Sequence, residues 1–311
     1  MTKRTLLIII ALLVIVDIVA AFWYLSARLE ASGAGFDIFN MTDNRVVTAA
    51  DTIVESTLPD TFVVMEKRAY FISTSPAVKT NPQSHFTSAK HIKVRWPQSV
   101  NGIDSIPALH KALLDKMYGF GTSDINLAIN QAMSKPTFNS AYPMGYRSLA
   151  SAPPIQPTYS NTQTLLVYPL MTSFRMLVMA IDDKQYNGIE TQHSMRFVHY
   201  DRNQQVVITA NDIFTAGSQQ MLLGLINSKI DALNREKNYK LNRASQVPAE
   251  FSAQRKGIIF HFPAGTLTVA NEGETEIYLD YATLQPVFTP SFKQLVRDNG
   301  GYWDYKRLTL E

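Results

Sequence analysis

Six histidines, His85, His91, His110, His193, His199 and His261, are the side chains best suited to metal ligation or to proton transfer near neutral pH. None of them sits in an HExxH, HxH or i,i+4 arrangement, so no metal site is expected. If residues 192–201 form a strand, His193, Met195, Phe197 and His199 share one face. The two histidines then lie about 20 Å apart along it, too far to hold one ion. His261 falls between Phe260 and Phe262 and points away from both. Each histidine therefore reads as a surface or hydrogen-bonded side chain.

Glu274 and Glu276 share a strand face and, with Asp280, can form an acidic stripe that meets a basic partner. A solvated sheet face is the ordinary alternative. Paired carboxylates serve glycoside hydrolysis only when they face each other at about 5 to 9.5 Å across a cleft. The chain has no GxSxG, Walker or GxGxxG motif, so neither a nucleophile elbow nor a nucleotide cofactor is expected. It has no cysteine, which excludes a disulfide framework, a thiolate nucleophile and a zinc–thiolate site. With 29 basic and 26 acidic residues the net charge is only +3, without the basic clustering of a nucleic-acid binder, and no nucleic-acid partner is expected.

Aromatic binding candidates come from residues 136–160, rich in proline and without periodicity, which read as a long exposed loop carrying Tyr142, Tyr146 and Tyr159. An insertion packed by its own side chains is an equal reading of that stretch.

The elements that must carry these residues follow from hydrophobic period. TFVVMEKRAYFIS and HIKVRW read as strands, the second ended by Pro97. Asp104 or Ser105 can cap a helix from Ile106 to Met117, with Leu109, Leu113 and Leu114 on its apolar face. Gly119 and Gly121 close it, and Ser123 or Asp124 opens a second helix striped by Ile125, Ala128 and Ile129. QTLLVYPL, FRMLVMAID and TQHSMRFVHYD read as strands, the last two separated by the turn signal DDKQYNG, and QVVIT follows as a short one. Leu222, Leu225, Ile226, Ile230 and Leu233 recur at helical spacing from Ser218 to about Glu236. GIIFHF, GTLTVA and ETEIYLDY supply further strands, and Thr289 and Pro290 start a closing helix. Strands in consecutive blocks predict an α+β domain whose antiparallel sheet is covered on one face by helices.

Ahead of all this, Leu6 to Leu25 is an apolar run of the length that crosses a hydrocarbon core of about 30 Å. Its fourteen Leu, Ile, Val and Phe residues, at roughly −0.3 to −0.6 kcal/mol each, outweigh the single central Asp17 at about +2.5 to +3.5 kcal/mol. Phe22, Trp23 and Tyr24 make an interfacial aromatic belt, and Lys3 and Arg4 hold the N-terminus in the cytoplasm. A cleaved signal peptide is the alternative, and it too exports the domain. Asp17 is either a contact to a partner helix or a tolerated residue in a simple anchor. The expectation is a single-pass inner-membrane protein with the bilayer as one partner and its C-terminal domain periplasmic or extracellular.

Tyr200 and Asp201 end one strand of RFVHYDRNQQVVITANDIF, Val206 to Ile208 form the next, and Asp212, Ile213 and Phe214 open a helix. Downstream come Phe251, GIIFHF and EIYLDYATL. This pattern, over residues 185–296, resembles the C-terminal domain family of unknown function found in the anti-sigma factor RsiV and the peptidoglycan deacetylase PdaC. Where that family often has Gly-Gly-x-His, this chain has Asn187, Gly188, Ile189 and Glu190. The resemblance implies an envelope-facing module without catalysis that binds a lysozyme-like protein or a cell-wall ligand. A cell-wall hydrolase or deacetylase is the alternative. Asp212, with Asn211 beside it, reads physically as a helix cap. The expected division is a tail and anchor at 1–28, a stalk at 29–60, an α+β region at 61–184 and the RsiV-like domain at 185–311, the last two packed as one unit.

Overall fold

MLVMAI, residues 176–181, is apolar without alternation, which suits a strand covered on both faces. The computed structural model describes residues 60–73, 87–119, 124–136, 146–151, 160–187, 190–237, 239–269 and 273–298, all within the unit Ile53–Glu311. In it this run begins a strand at the heart of a seven-stranded sheet. The strands are β1 (Thr61–Ser73), β2 (Thr87–Ser99), β3 (Tyr146–Leu149), β4 (Ser160–Thr172), β5 (Met176–Tyr186), β6 (Thr191–Asp201) and β7 (Val206–Ile208). Their order is β3-β1-β2-β4-β5-β6-β7.

Alternate residues of β5 enter two separate cores. Leu177, Met179 and Ile181 join Ile92, Val94 and Trp96 of β2 and Leu165 and Val167 of β4 on one face. Two helices cover that face, α1 (Pro107–Tyr118) through Leu109, Leu113 and Leu114 and α2 (Ile125–Met133) through Ile125, Ala128 and Ile129. Gly119 ends α1 at φ 68°, a left-handed conformation suited to glycine, and donates to Asp115 O at 2.8 Å. Asp124 opens α2 by accepting from the N–H groups of Asn126 and Leu127 at 2.7 and 3.2 Å.

Met176, Val178 and Ala180 face the other way, with Phe197 of β6. They meet a three-stranded sheet of β8 (Glu250–Ala253), β9 (Gly257–Phe262) and β10 (Thr275–Asp280), ordered β10-β9-β8. That core is completed by α3 (Ala210–Ile213), α4 (Gln219–Lys237), α5 (Tyr281–Leu284) and α6 (Pro290–Asp298), through Ile213, Leu222, Ile226, Ile230, Leu284, Phe292 and Val296.

The expected α+β class holds, and its finer form is corrected. The large sheet is mixed, because β2 and β4 run parallel from Thr87↔Ser160 to Val94↔Val167. Parallel neighbours need a crossover, and the chain makes it through α1, α2 and β3, which is why the helices gather on one face. The opposite face is covered in part by the second sheet. The sheet also runs across the boundary expected at residue 185, which falls inside β5.

Four local expectations are overturned. The residue flanking α1 is Ile106, which makes no side-chain cap bond, so neither Asp104 nor Ser105 caps it. Within the segment expected as one loop, Tyr146–Leu149 pairs with Ser73–Tyr70. GTLTVA forms no strand among its described residues: the backbone bends so that Leu267 is buried while its carbonyl accepts from Asn242 N at 2.7 Å. Asp182 to Tyr186 continue β5, and the chain reverses only at residues 187–190, where Asn187 Oδ1 accepts from Glu190 N at 2.9 Å. Among the described residues no helix is long and apolar enough to cross a membrane. Leu6, Asp17, Trp23 and Leu25 of the expected anchor, with Tyr142, Tyr159 and His85, lie outside them.

Asp201 ties the far end of this architecture together. It is 2% exposed, accepts from the N–H groups of Asn203 and Gln204 at 2.9 Å each, and pairs with Arg175 at 2.7 Å. Arg175 also reaches Asp298 of α6 at 2.6 Å. Next to it Arg202 pairs with Asp60 at 2.7 Å, so the start of β1 is held against the β6–β7 turn. Removing one member strands a buried charge, so Asp201→Ala is expected to lower stability by about 3–5 kcal/mol. Arg68→Ala, which deletes an exposed pair with Glu66, is expected to leave the urea midpoint nearly unchanged. Urea unfolding of both variants checks the contrast.

Candidate functional site

Where β5 and β6 meet the smaller sheet, the seam contains three histidines and four carboxylates. The β5–β6 hairpin pairs Lys184 with His193 and Asp182 with Met195, which places His193 diagonally beside Asp182 on one face. His193 Nε2 is 2.9 Å from Asp182 Oδ1, and its Nδ1 is 3.4 Å from Glu274 Oε2 at the start of β10. Lys184 Nζ approaches the second Asp182 oxygen at 3.6 Å. Glu274 also accepts a bond from the Met195 N–H, yet burial holds its carboxyl above the ordinary range, against the lowering effect of His193.

Deeper in the seam, His261 of β9 packs on the Phe197 ring with centroids 4.4 Å apart. Its Nε2 is 2.9 Å from Ser252 Oγ of β8, and its Nδ1 is 3.4 Å from Glu276 Oε1 of β10. Burial, and secondarily the charge of His193, pushes the His261 imidazole down to about 4. His199 of β6 stacks on Phe251 at 5.0 Å and accepts the Ala253 N–H on Nε2 at 3.0 Å, a bond only the unprotonated nitrogen can make. Its burial, with Lys116 adding a smaller effect, pushes it down to about 3. Glu250 joins the same contact, accepting from Phe197 N at 3.1 Å and pairing with Lys116.

Ser252, His261 and Glu276 stand in the order of a nucleophile, base and carboxylate. Ser252 is 0% exposed, however, and its oxygen also accepts from Gln254 Nε2 at 3.1 Å. No substrate carbonyl can reach it in this structure, so the three residues act as a tie between strands. Among the described residues no three His, Asp or Glu side chains are placed to hold a metal ion.

The expected acidic stripe is divided among three tasks. Glu274 turns toward His193, Glu276 lies beside His261, and Asp280 Oδ1 caps α5 by accepting Thr283 N at 2.7 Å. Tyr146 starts β3, is 41% exposed and meets Phe71 edge-on at 5.8 Å, on another part of the sheet. Tyr200 is fully buried in the helix-covered core, and Phe214 joins a ring cluster with Phe251, Phe260 and Phe288. Asp212 lies in the third residue of α3 and accepts from Thr209 N and Oγ at 2.8 and 2.6 Å. Of the remaining histidines, His91 pairs with Glu66 and His110 stacks on Trp96.

Asp182 and Ser252 were missed as site residues. The signal for Asp182 was its place directly after the apolar run MLVMAI: continuing that strand to Tyr186 sets Asp182 diagonally beside His193 across the hairpin.

The fold and seam define an α+β domain of two stacked sheets with an acid–imidazole cluster at their junction. Two solved structures resemble it over most of the chain. One is a DUF3298-family protein from Bacteroides fragilis, with a TM-score of 0.53 and 12% identity over 77% of this chain and 99% of that one. The other is a DUF3298-family protein from Pseudomonas aeruginosa, with a TM-score of 0.50 and 11% identity over 76% and 97%. At such identity the likeness is one of fold, that of a DUF3298-type domain of unknown function, and the resemblance read in residues 185–296 is compatible with it. No protein-family profile matches the chain, and no curated protein matches it.

Two neutral buried imidazoles have a definite pH consequence. Their folded pKa values lie below the ordinary 6.5, so the unfolded chain binds more protons as the medium acidifies. Their contribution is complete above about pH 6.5 and is lost toward pH 4 for His261 and pH 3 for His199, at up to about 1.4 kcal/mol per pH unit for each. Urea midpoints measured from pH 7.5 to 4.5 are expected to fall, and His261→Gln, though less stable at pH 7.5, is expected to fall less steeply.

Proposed function

We propose that this chain is a membrane-anchored binding module of the bacterial cell envelope, its folded part held outside the cytoplasm by the Leu6–Leu25 helix. It recognises a basic protein or a cell-wall ligand at the acid–imidazole seam, and it does so without catalysis. The observation that carries this reading is the division of labour in the seam: its one hydroxyl in relay geometry, Ser252, is buried, while Glu276 and His193 remain open to solvent. Accessible acids beside an inaccessible hydroxyl suit the attraction and orientation of a ligand better than acyl transfer through Ser252. The apolar N-terminal run and the resemblance of residues 185–296 to the domain of RsiV and PdaC support the envelope setting. Exposed Tyr146 offers a further stacking surface, with Tyr142 and Tyr159 nearby in sequence.

The rival is a cell-wall hydrolase or deacetylase that exposes Ser252 by opening the seam. Full-length protein in detergent, incubated with purified peptidoglycan and with lysozyme, separates the two. Retention of either without release of soluble fragments or acetate is expected; degradation without retention overturns the binding reading. For the topology, protease added to intact spheroplasts is expected to cut the folded part, and protection until lysis overturns it.

A further inference from the structure

Away from the seam, the side of the large sheet that meets the smaller one lies open on β3, β1 and β2. Cross-strand partners share a face, and the pairs Leu166↔Asp182, Lys93↔Leu166, Glu66↔Lys93, Arg68↔His91 and Val64↔Arg95 carry the face of Asp182 out to β1. Arg147, opposite Ile72, continues it on β3. Lys67 and Lys90 turn the other way, to Asn130 and to the Ala132 carbonyl. On these three strands the face therefore presents Arg68, Lys93, Arg95 and Arg147, and Glu66 is its one acid among the described residues. The side chains of Arg68 and Lys93 are 59% and 49% exposed, so the smaller sheet does not cover them. The single carboxylate is shared by Arg68 and His91 at 2.9 Å each and by Lys93 at 3.7 Å, which leaves a surplus of positive charge. The four cations fall at the levels of Val64, Glu66, Arg68 and Ile72 of β1, a stripe about 27 Å long and about 10 Å wide.

We infer that this outer part of the sheet rests against a bilayer surface of anionic phospholipid headgroups. The inference uses the membrane anchor of the proposed function but not ligand binding at the seam. A single phosphate is held by donors that converge on it, whereas cations spread along about 27 Å meet many anions at once, as a headgroup layer presents them. Val64, 57% exposed and opposite Arg95, adds an apolar contact at one end of the stripe. That end is also where the chain coming from Leu6–Leu25 enters the fold: Asp60, pinned by Arg202 at 2.7 Å, stands four residues before Val64. The smaller sheet packs over β5 and β6, so the bilayer is met from the β3–β1 edge. Anchoring in the same membrane raises the local concentration of the two surfaces, and a weak attraction is then enough to hold them together.

The chain has no cysteine, so Val64→Cys in the full-length protein takes a single spin label. In nanodiscs containing phosphatidylglycerol that label is expected to be shielded from an aqueous relaxation reagent, and in phosphatidylcholine discs to stay accessible. Leu127→Cys, 49% exposed on α2 of the helix-covered side, is expected to be accessible in both. Molar salt is expected to release the label at residue 64. Arg68→Gln combined with Lys93→Gln, both at solvent-facing positions, is expected to lower the ratio of shielded to accessible label about 25-fold, about fivefold for each cation. Lys237→Gln combined with Lys240→Gln, the same loss of charge at exposed positions on and after α4, is expected to leave it unchanged. Equal accessibility of the residue 64 label in the two lipids, equal shielding at residue 127, or an unchanged ratio without the Arg68 and Lys93 charges overturns the surface. Shielding by soluble polyphosphate in phosphatidylcholine discs, with none from phosphatidylglycerol, overturns the bilayer as its occupant. Recovery of the chain with the discs tests the anchor separately. A chain that stays free of them overturns the anchor, and the same variants are then read by sedimentation with phosphatidylglycerol vesicles: binding lost with the Arg68 and Lys93 charges supports the surface, and equal binding overturns it.

Discussion

Everything in this fold depends on β5 being apolar on both faces. A strand that buries Leu177, Met179 and Ile181 on one side and Met176, Val178 and Ala180 on the other needs a cover on each. Each large side chain so buried contributes about 1.5–3 kcal/mol, so an uncovered face would forfeit a large part of the chain's marginal stability. The two covers differ because the connections differ. The crossover from β2 to β4 delivers α1 and α2 to one face, and the later strands, returning after α4, deliver β8, β9 and β10 to the other. The two-sheet stack, and hence the seam, follows from that single two-faced strand.

The seam is then a problem in polar accounting. Two sheets packed face to face bury side chains well, but the edge strand β8 brings backbone N–H groups against β6 with no ladder between them. The chain satisfies these with side-chain acceptors: Glu250 takes the N–H of Phe197 and His199 takes that of Ala253. An imidazole is an effective acceptor there because it is neutral, flat and able to stack on Phe251. Using histidine for this purpose makes the sheet–sheet contact sensitive to acid, whether or not the sensitivity serves the protein.

The sequence disclosed those elements whose evidence is local. The stripe Leu109, Leu113, Leu114 and the stripe Ile125, Ala128, Ile129 announce α1 and α2, and Leu222, Ile226 and Ile230 announce α4, because a helix records its buried face at fixed spacing. Strand alternation likewise exposed β2, where Ile92, Val94 and Trp96 turn inward. What stayed hidden is what depends on pairing. β3 is four residues long and exists through its register with β1, and GTLTVA has the composition of a strand but pairs with none in its described residues. The parallel partnership of β2 and β4 leaves no trace in either strand alone. The seam is the extreme case, since Asp182, His193, Ser252, His261, Glu274 and Glu276 arrive from five different strands or their ends.

Reading Asp182 and Asp183 as turn residues was reasonable from composition and wrong for a physical reason that bears on function. Carboxylates persist inside a strand when neighbouring side chains meet them, and here His193 of β6 and Lys184 of the same strand meet Asp182 while Arg196 of β6 meets Asp183 at 3.4 Å. Polar residues in a strand are thus explained when each has a partner; those left over are the ones that call for a ligand. By that criterion Asp183 is structural, Asp201 is structural, and Asp280 and Asp212 are helix caps. Glu274 and Glu276 are different. Glu274 is recessed beside His193 and accepts the Met195 N–H, and Glu276 stands open beside a His261 ring nitrogen that lacks a hydrogen bond. Satisfied acids build the sheet stack, and the incompletely satisfied ones gather where its two sheets meet.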